Sequence, residues 1–303
     1  MSMKQIVTPK VEAAIRKKLR KPESEELTDA DLKRVRKFDL SEIQIKDSGL
    51  AEVAKLQNLK TLYLGYTQTT DKSLKHVAKL QQLTELTLSN TQITDEGLKE
   101  VAKLQKLHTL YLSDTQITDA GLKEFTKLQK LEILALTGTQ ITDAGLKEVA
   151  KLKKLKILTL TGTQITDTGL KEVAKLKCLV WLDLNITNVT DVGLKELTKL
   201  KKLNRLFLAD TKITDAGLKD VVKLQKLTWL HLSNTQITDA GLKEVAKLKK
   251  LKVLWLQDTK VTDAGLKEVT MLQKLTKWLG LESTQAGVAE LKKALPNCDI
   301  KGP

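Results

Sequence analysis

Residues 107–131 read LHTLYLSDTQITDAGLKEFTKLQKL. The opening L-x-x-L-x-L alternates with period two. It therefore sets Leu110 and Leu112 on one face of a short strand and Thr109, Tyr111 and Ser113 on the other. Thr115 follows at a turn and Ile117 returns to the apolar side. Thr118 and Asp119 carry side chains suited to helix capping, and Leu122, Phe125 and Thr126 then fall at i, i+3 and i+4. That spacing predicts a helix of about two turns. Leu128 and Leu131 lead back into the next strand.

The stretch recurs in unbroken register. Leu59, Leu83, Leu107, Leu131, Leu155, Leu179, Leu203, Leu227, Leu251 and Leu275 stand 24 residues apart. A unit repeated at such a period buries its apolar face against its neighbours and builds a stacked solenoid. Strand followed by helix, repeated in register, predicts an α/β array. A parallel β-sheet would line the concave face and helices the convex one, because helices are wider than strands and the stack must bend.

The pattern L-x-x-L-x-L-x-x-T-x-I-T-D-x-G-L resembles that of leucine-rich repeat proteins, over about residues 35–300. The I-T-D-A-G-L segments at Ile141–Leu146 and Ile237–Leu242 are most similar to the cysteine-containing class. That class carries Cys or Asn at the turn, where this chain has Thr67, Thr91, Thr115, Thr139, Thr163, Thr187, Thr211, Thr235 and Thr259. The Thr column, the slightly shorter repeat and the near-identity of neighbouring units resemble the short arrays of bacteria. The resemblance implies a right-handed horseshoe solenoid that works as a protein-binding module. The Thr hydroxyls are expected to bond backbone groups of their own turns. Facing the turn interior, they are not read as an ice-binding surface.

Both ends depart from the repeat, as terminal units of a solenoid do. Val11, Ile15 and Leu19 lie four apart on a basic segment and predict an amphipathic helix. Leu27–Leu32 echoes the repeat, so residues 1–34 are read as a helical N-terminal cap. About 11 repeats would fill 35–285, and 286–303 would form a C-terminal cap. There Leu279-Gly280-Leu281 runs one residue out of phase, Pro296 ends a last helix, and Cys298-Asp299-Ile300 closes as a strand with Cys298 buried.

Bulk composition narrows the functional classes. Aromatic residues are only 3% of the chain, so the core must be aliphatic. Cys178 and Cys298 lie five repeats apart, on the order of 20 Å or more at the usual strand spacing, too far for a disulfide. Met1–Lys10 has no apolar run and no stretch approaches a membrane span. The chain as it stands is expected to be cytoplasmic, or secreted or periplasmic if a signal peptide has been removed. The net charge of +15 invites a polyanion reading. However, Lys99, Lys123, Lys147 and Lys171, with Lys103, Lys127 and Lys151, interleave with Glu100, Glu124 and Glu148 on the helices. That is a solvated convex face with no aromatic platform for bases, fit for weak salt-sensitive contacts and not for a dedicated nucleic-acid site.

Catalysis finds little support. The three histidines are His76, His108 and His231; Asp183 and His231 fall two repeats apart with no nucleophile between them. No phosphate-cradling loop or metal-ligand cluster occurs, so no catalytic residue, metal or cofactor is expected.

The departures from the repeat collect elsewhere. One outward column reads Thr61, Glu85, Thr109, Ile133, Ile157, Trp181, Arg205, Trp229, Val253; the next reads Tyr63, Thr87, Tyr111, Ala135, Thr159, Asp183, Phe207, His231, Trp255. Seven of the ten aromatic residues lie on or beside these columns, pointing away from the core. Such a cluster on a rigid face is a binding signature. The expected site uses Trp181, Arg205, Phe207, Trp229, His231 and Trp255 as anchors for a protein or peptide. Arg205 would stack between Trp181 and Trp229; Asp183 would hold Arg205 and serve the ligand site as a polar orienter. A second, weaker patch comprises Tyr63, Tyr66, Glu85, His108 and Tyr111. The competing expectations are an aromatic ladder that only stabilises the sheet, and a scaffold with weak self-association. A ubiquitin-ligase-like adaptor would need a recruiting N-terminal domain, and residues 1–34 are too short and too charged for one. Asp210, Asn234 and Asp258 along the sheet edge supply too few oxygens for a hard cation and read as solvated turn residues.

Overall fold

The computed structural model of the protein describes residues 9–45, 47–279 and 285–301. The chain folds as two compact units, Met1–Ile141 and Thr142–Pro303. In the first, strands β1 (Lys37–Asp39), β2 (Thr61–Tyr63), β3 (Glu85–Thr87), β4 (Thr109–Tyr111) and β5 (Ile133–Ala135) pair in chain order, all parallel. In the second, β6 (Ile157–Thr159), β7 (Trp181–Asp183), β8 (Arg205–Phe207), β9 (Trp229–His231), β10 (Val253–Trp255), β11 (Lys277–Leu279) and β12 (Asp299–Lys301) do the same. Equivalent residues face each other, as Leu158, Leu182, Leu206, Leu230 and Leu254 do. A helical segment follows each strand from β1 to β11, so each unit is the expected α/β solenoid of stacked strand–helix repeats.

The leucine columns form the core: Leu182, Leu206 and Leu230 are completely buried, and so are Leu184, Leu208 and Leu232 two residues on. Burial of this kind is the main favourable term in folding, and stacking extends it from repeat to repeat. Each helix is short, seven residues in Asp95–Val101 or Asp191–Leu197. The opening stretch differs from its expected α-helix, because Gly121–Lys127 winds as a 3-10 helix. Phe125 there occupies the column held by Val101 and Val149, and its ring is fully buried. A ring needs more depth beneath the helix than valine methyls, and the slimmer 3-10 winding supplies it.

Two polar columns complete the repeat. In the turn column, each Thr at a 24-residue interval from Thr67 to Thr259 donates its hydroxyl to the carbonyl three residues back at 2.5–2.8 Å, as expected. The Thr-Asp pair does more than cap. Thr190 accepts from the Val192 amide at a modest 3.3 Å. Asp191 instead reaches the following repeat, where its two carboxylate oxygens accept from the Thr214 amide at 2.8 Å and the Thr214 hydroxyl at 2.6 Å. The same pair of bonds joins Asp71 to Thr94, Asp95 to Thr118, Asp143 to Thr166, Asp167 to Thr190, Asp215 to Thr238 and Asp239 to Thr262. This ladder also explains the glycine of T-D-x-G-L. A Cβ placed on Gly217 would clash with the Asp191 carboxylate and sit 2.8 Å from Leu194. Where the column has Ser73, its hydroxyl donates to Asp47 instead.

At the start, helix Pro9–Leu19 buries Val11 and Ile15 as the four-residue spacing predicts. Thr28 and Asp31 form a capping box for Asp29–Arg34. The Lys21 ammonium, 2.6 Å away, and the Thr28 amide and hydroxyl hold the Asp31 carboxyl far below the usual carboxylate range. At the other end, helix Gln285–Ala294 precedes β12. Cys298 is half-buried and not fully buried as expected, because it follows the chain turn at Leu295 and lies just before the strand. Burial still pushes its thiol up to about 11. Both cysteines are free. The Gly280-Leu281 part of the phase shift lies outside the described residues.

Candidate functional site

Strand alternation sends residues 181, 205, 229 and 183, 207, 231, 255 to the face opposite the leucines, where all seven side chains are half-buried. Trp181, Arg205 and Trp229 stand side by side on β7, β8 and β9. The guanidinium carbon of Arg205 lies over both indoles, 5.1 Å from the Trp181 ring and 4.5 Å from the Trp229 ring. In the next column Phe207 meets Trp181, His231 and Trp255 edge-on, with centroids 5.6–5.8 Å apart. Trp255 closes the group against Trp229 at 5.5 Å and His231 at 5.2 Å. The six expected anchors thus form one connected cluster in the second unit.

Asp183 does not hold Arg205 as expected. Its carboxylate accepts from the Asn185 amide at 3.0 Å and from the Thr161 hydroxyl. A short Asp side chain at a strand end reaches the amide two residues on more readily than a diagonal neighbour on the next strand. Asp39 does the same with Ser41. Burial pushes the Asp183 carboxyl above its ordinary range, partly offset by these two bonds. Arg205 is therefore held by the indoles, and among the described residues no carboxylate or carbonyl accepts from its guanidinium. The Nε1 of Trp181 and Oδ1 of Asn204, one residue before Arg205, are also buried without a hydrogen-bond partner.

Burial lowers the pKa of His231, opposed by the Asp210 carboxylate. The folded state thus favours the neutral ring, whereas the unfolded chain takes up a proton near the ordinary value of about 6.5. The contribution of His231 to stability is present above about pH 6.5 and declines as pH falls below it, through the lowered folded value. Urea unfolding midpoints measured from pH 8 to 5 are expected to fall less in His231→Gln than in the native chain. An equal fall in both would place the titrating group elsewhere.

The smaller patch assembles only in part. The Tyr63 hydroxyl donates to Glu85 at 3.0 Å, Thr61 also reaches Glu85, and the Lys37 ammonium lies 4.6 Å over the Tyr63 ring. Tyr111 is half-buried beside them, its hydroxyl pKa raised by burial and then by Glu85 and Tyr63. Tyr66 and His108 are exposed, and among the described residues no side-chain hydrogen bond, ion pair or ring contact ties them to the rest.

One edge residue stands out beyond the expected set. The turn after each strand from β1 to β10 takes a left-handed residue, and outside β7 these are Glu42, Tyr66, Asn90, Asp114, Gly138, Gly162, Asp210, Asn234 and Asp258. Position 186 does so too, at φ 53°, with isoleucine, whose branched Cβ is strained there. Ile186 is 57% exposed, so burial does not compensate. It lines an edge groove with Asn188, Asp210, Lys212 and Asn234. Asn234 donates to Asp210 along that edge, consistent with solvated turn residues. Ile186→Asn is expected to raise stability by about 1 kcal/mol in urea titration; a loss would show that the isoleucine side chain packs favourably in the fold.

Comparison with known proteins agrees with this architecture. The model of a leucine-rich repeat region matches residues 34–191, and that of paired leucine-rich repeats matches 225–268. No curated protein sequence matches significantly. Among solved structures, an internalin from Listeria monocytogenes superposes with a TM-score of 0.63 at 22% identity, covering 97% of this chain and 96% of that one. Internalin C2 of the same organism gives 0.56 at 28% identity, over 82% and 93% of the two chains. The TLR13 chain of a TLR13–ssRNA13 complex gives 0.58 at 20% identity, over 83% of this chain and 41% of that one.

Proposed function

The chain belongs to the leucine-rich repeat family, and we propose that it is a non-enzymatic module that captures a protein or peptide on the outward face of β7–β10. The observation that carries this reading is the connected cluster of Trp181, Arg205, Phe207, Trp229, His231 and Trp255 on the face the core does not use. A row of large rings left half-buried on a sheet still has apolar area to lose to a partner. The sheet is rigid, so the partner docks without rearranging it. Asp183 shapes the rim of the cluster through the Asn185 turn and does not grip the ligand. The patch around Tyr63, Glu85 and Tyr111 serves as a secondary contact.

The test is affinity capture on the native chain and on a Trp181→Ala/Trp229→Ala double variant, followed by titration of each captured protein. The native chain is expected to retain partners that the folded double variant loses. Equal capture and equal affinity would overturn the reading, as would concentration-dependent dimerisation abolished by the same variant.

A further inference from the structure

We propose that the segment captured on β7–β10 is acidic, and that one of its carboxylates docks on the free N–H edge of Arg205. The proposal rests on the binding reading above and specifies the partner's chemistry. A guanidinium is planar and offers five donors in its plane. Its carbon lies over an indole on each neighbouring strand, Trp181 at 5.1 Å and Trp229 at 4.5 Å, and neither ring accepts a conventional hydrogen bond from its N–H groups. Among the described residues nothing accepts from the N–H edge. The helix lysines provide the contrast: Lys151, Lys175, Lys199, Lys223 and Lys247 each pair with an acid three residues earlier. Arg205 is thus a half-buried cation in the middle of the apolar cluster, held in place by its rings and lacking a counter-charge.

A partner that covers Trp181 and Trp229 must also cover Arg205. If it brought no acceptor, it would strip water from an unpaired charge, which costs more than the rings return. A carboxylate matches the fork with two parallel bonds, and clamping by the indoles has already removed much of the freedom such bonding would cost. The nearest acid on the face, Asp183, is turned to Asn185 and Thr161 and leaves the place vacant. The net charge of +15 draws an acidic partner in from a distance.

A phosphate would also fit the fork, but the rings argue against a nucleic acid. Trp181 and Phe207 cross at 61°, Phe207 and Trp255 at 85°, and Trp229 and Trp255 at 63°. They pack edge to face with one another and around Arg205, and do not present the row of free parallel faces on which successive bases stack.

The experiment selects a displayed random-peptide library on the native chain and discards peptides that also bind the Trp181→Ala/Trp229→Ala double variant. The survivors are expected to be enriched in Asp or Glu. An enriched peptide is then made with each acid changed to its amide and titrated against native, Arg205→Gln and Arg205→Lys chains, all checked for folding by circular dichroism. One acid-to-amide change and Arg205→Gln should each weaken binding about tenfold or more, and together little further. Arg205→Lys, which keeps the charge and loses the fork, should recover only part. Peptides without acid enrichment, or full binding to Arg205→Gln, would overturn the carboxylate proposal and leave the binding reading standing. If no peptide discriminates against the double variant, the binding reading fails as well. Tighter, Arg205-dependent binding of a fluorescent oligouridylate would replace the acidic peptide with a nucleic acid.

Discussion

Asp191→Ala is expected to lower stability by about 3 kcal/mol, measured from the urea midpoint of the native chain and the variant. The carboxylate takes the amide and hydroxyl of Thr214 at 2.8 and 2.6 Å, and it fills the space beside Gly217. Alanine leaves both donors unpaired at a half-buried junction and opens a gap against the next helix. Bonds to a charged acceptor contribute about 1.5–3 kcal/mol each, and partial solvent access reduces the sum. Asp191→Asn keeps the shape and loses the charge, so it should cost about half as much. Glu244→Ala, which breaks only the exposed pair with Lys247, should change stability by less than about 0.5 kcal/mol. Equal effects at 191 and 244 would show that the junction bonds are readily replaced by water.

Trp229→Ala should weaken a captured partner by at least about 2 kcal/mol, roughly thirtyfold in Kd. Its indole lies between Arg205, 4.5 Å away, and Trp255, 5.5 Å away, so its loss removes contact area and frees the guanidinium to move. The change should appear mainly as faster dissociation, because truncating a central anchor loosens the bound state more than it slows encounter. Trp229→Phe keeps an apolar ring and should recover most of the affinity. Titration calorimetry or surface plasmon resonance with the same partner decides the matter, and unchanged affinity in Trp229→Ala would move the anchor elsewhere.

The strands, the leucine columns and the aromatic cluster are legible in the amino-acid sequence because they depend on spacing. A period of two within the strand and of 24 between strands places Trp181, Arg205 and Trp229 side by side whatever their contacts. The role of Asp191 is not legible in that way. Local capping logic assigns a Thr-Asp pair to its own helix, whereas the carboxylate serves a residue 23 positions later. The glycine of the same motif is explained by that carboxylate and not by a turn. Asp183 departs from its expected role for a related reason: spacing gives the neighbouring strand, but the amide two residues away competes for the same oxygen. Ile186 is visible as the β-branched member of a column that otherwise holds Glu, Tyr, Asn, Asp and Gly among the described residues, yet its strain becomes apparent only with its positive φ.

Within each unit the aspartate ladder joins successive repeats through the same donors and acceptors, so one such seam is chemically interchangeable with another. A whole repeat can therefore be cut out or duplicated and the new ends will match, provided that the change is a multiple of 24 residues. The array is a tape of adjustable length. The aromatic cluster is the part that cannot be spliced: it spans four consecutive strands, each with a different residue in place, and removing one unit inside it breaks the order. Gain and loss of repeats outside β7–β10 leaves the order of the cluster intact.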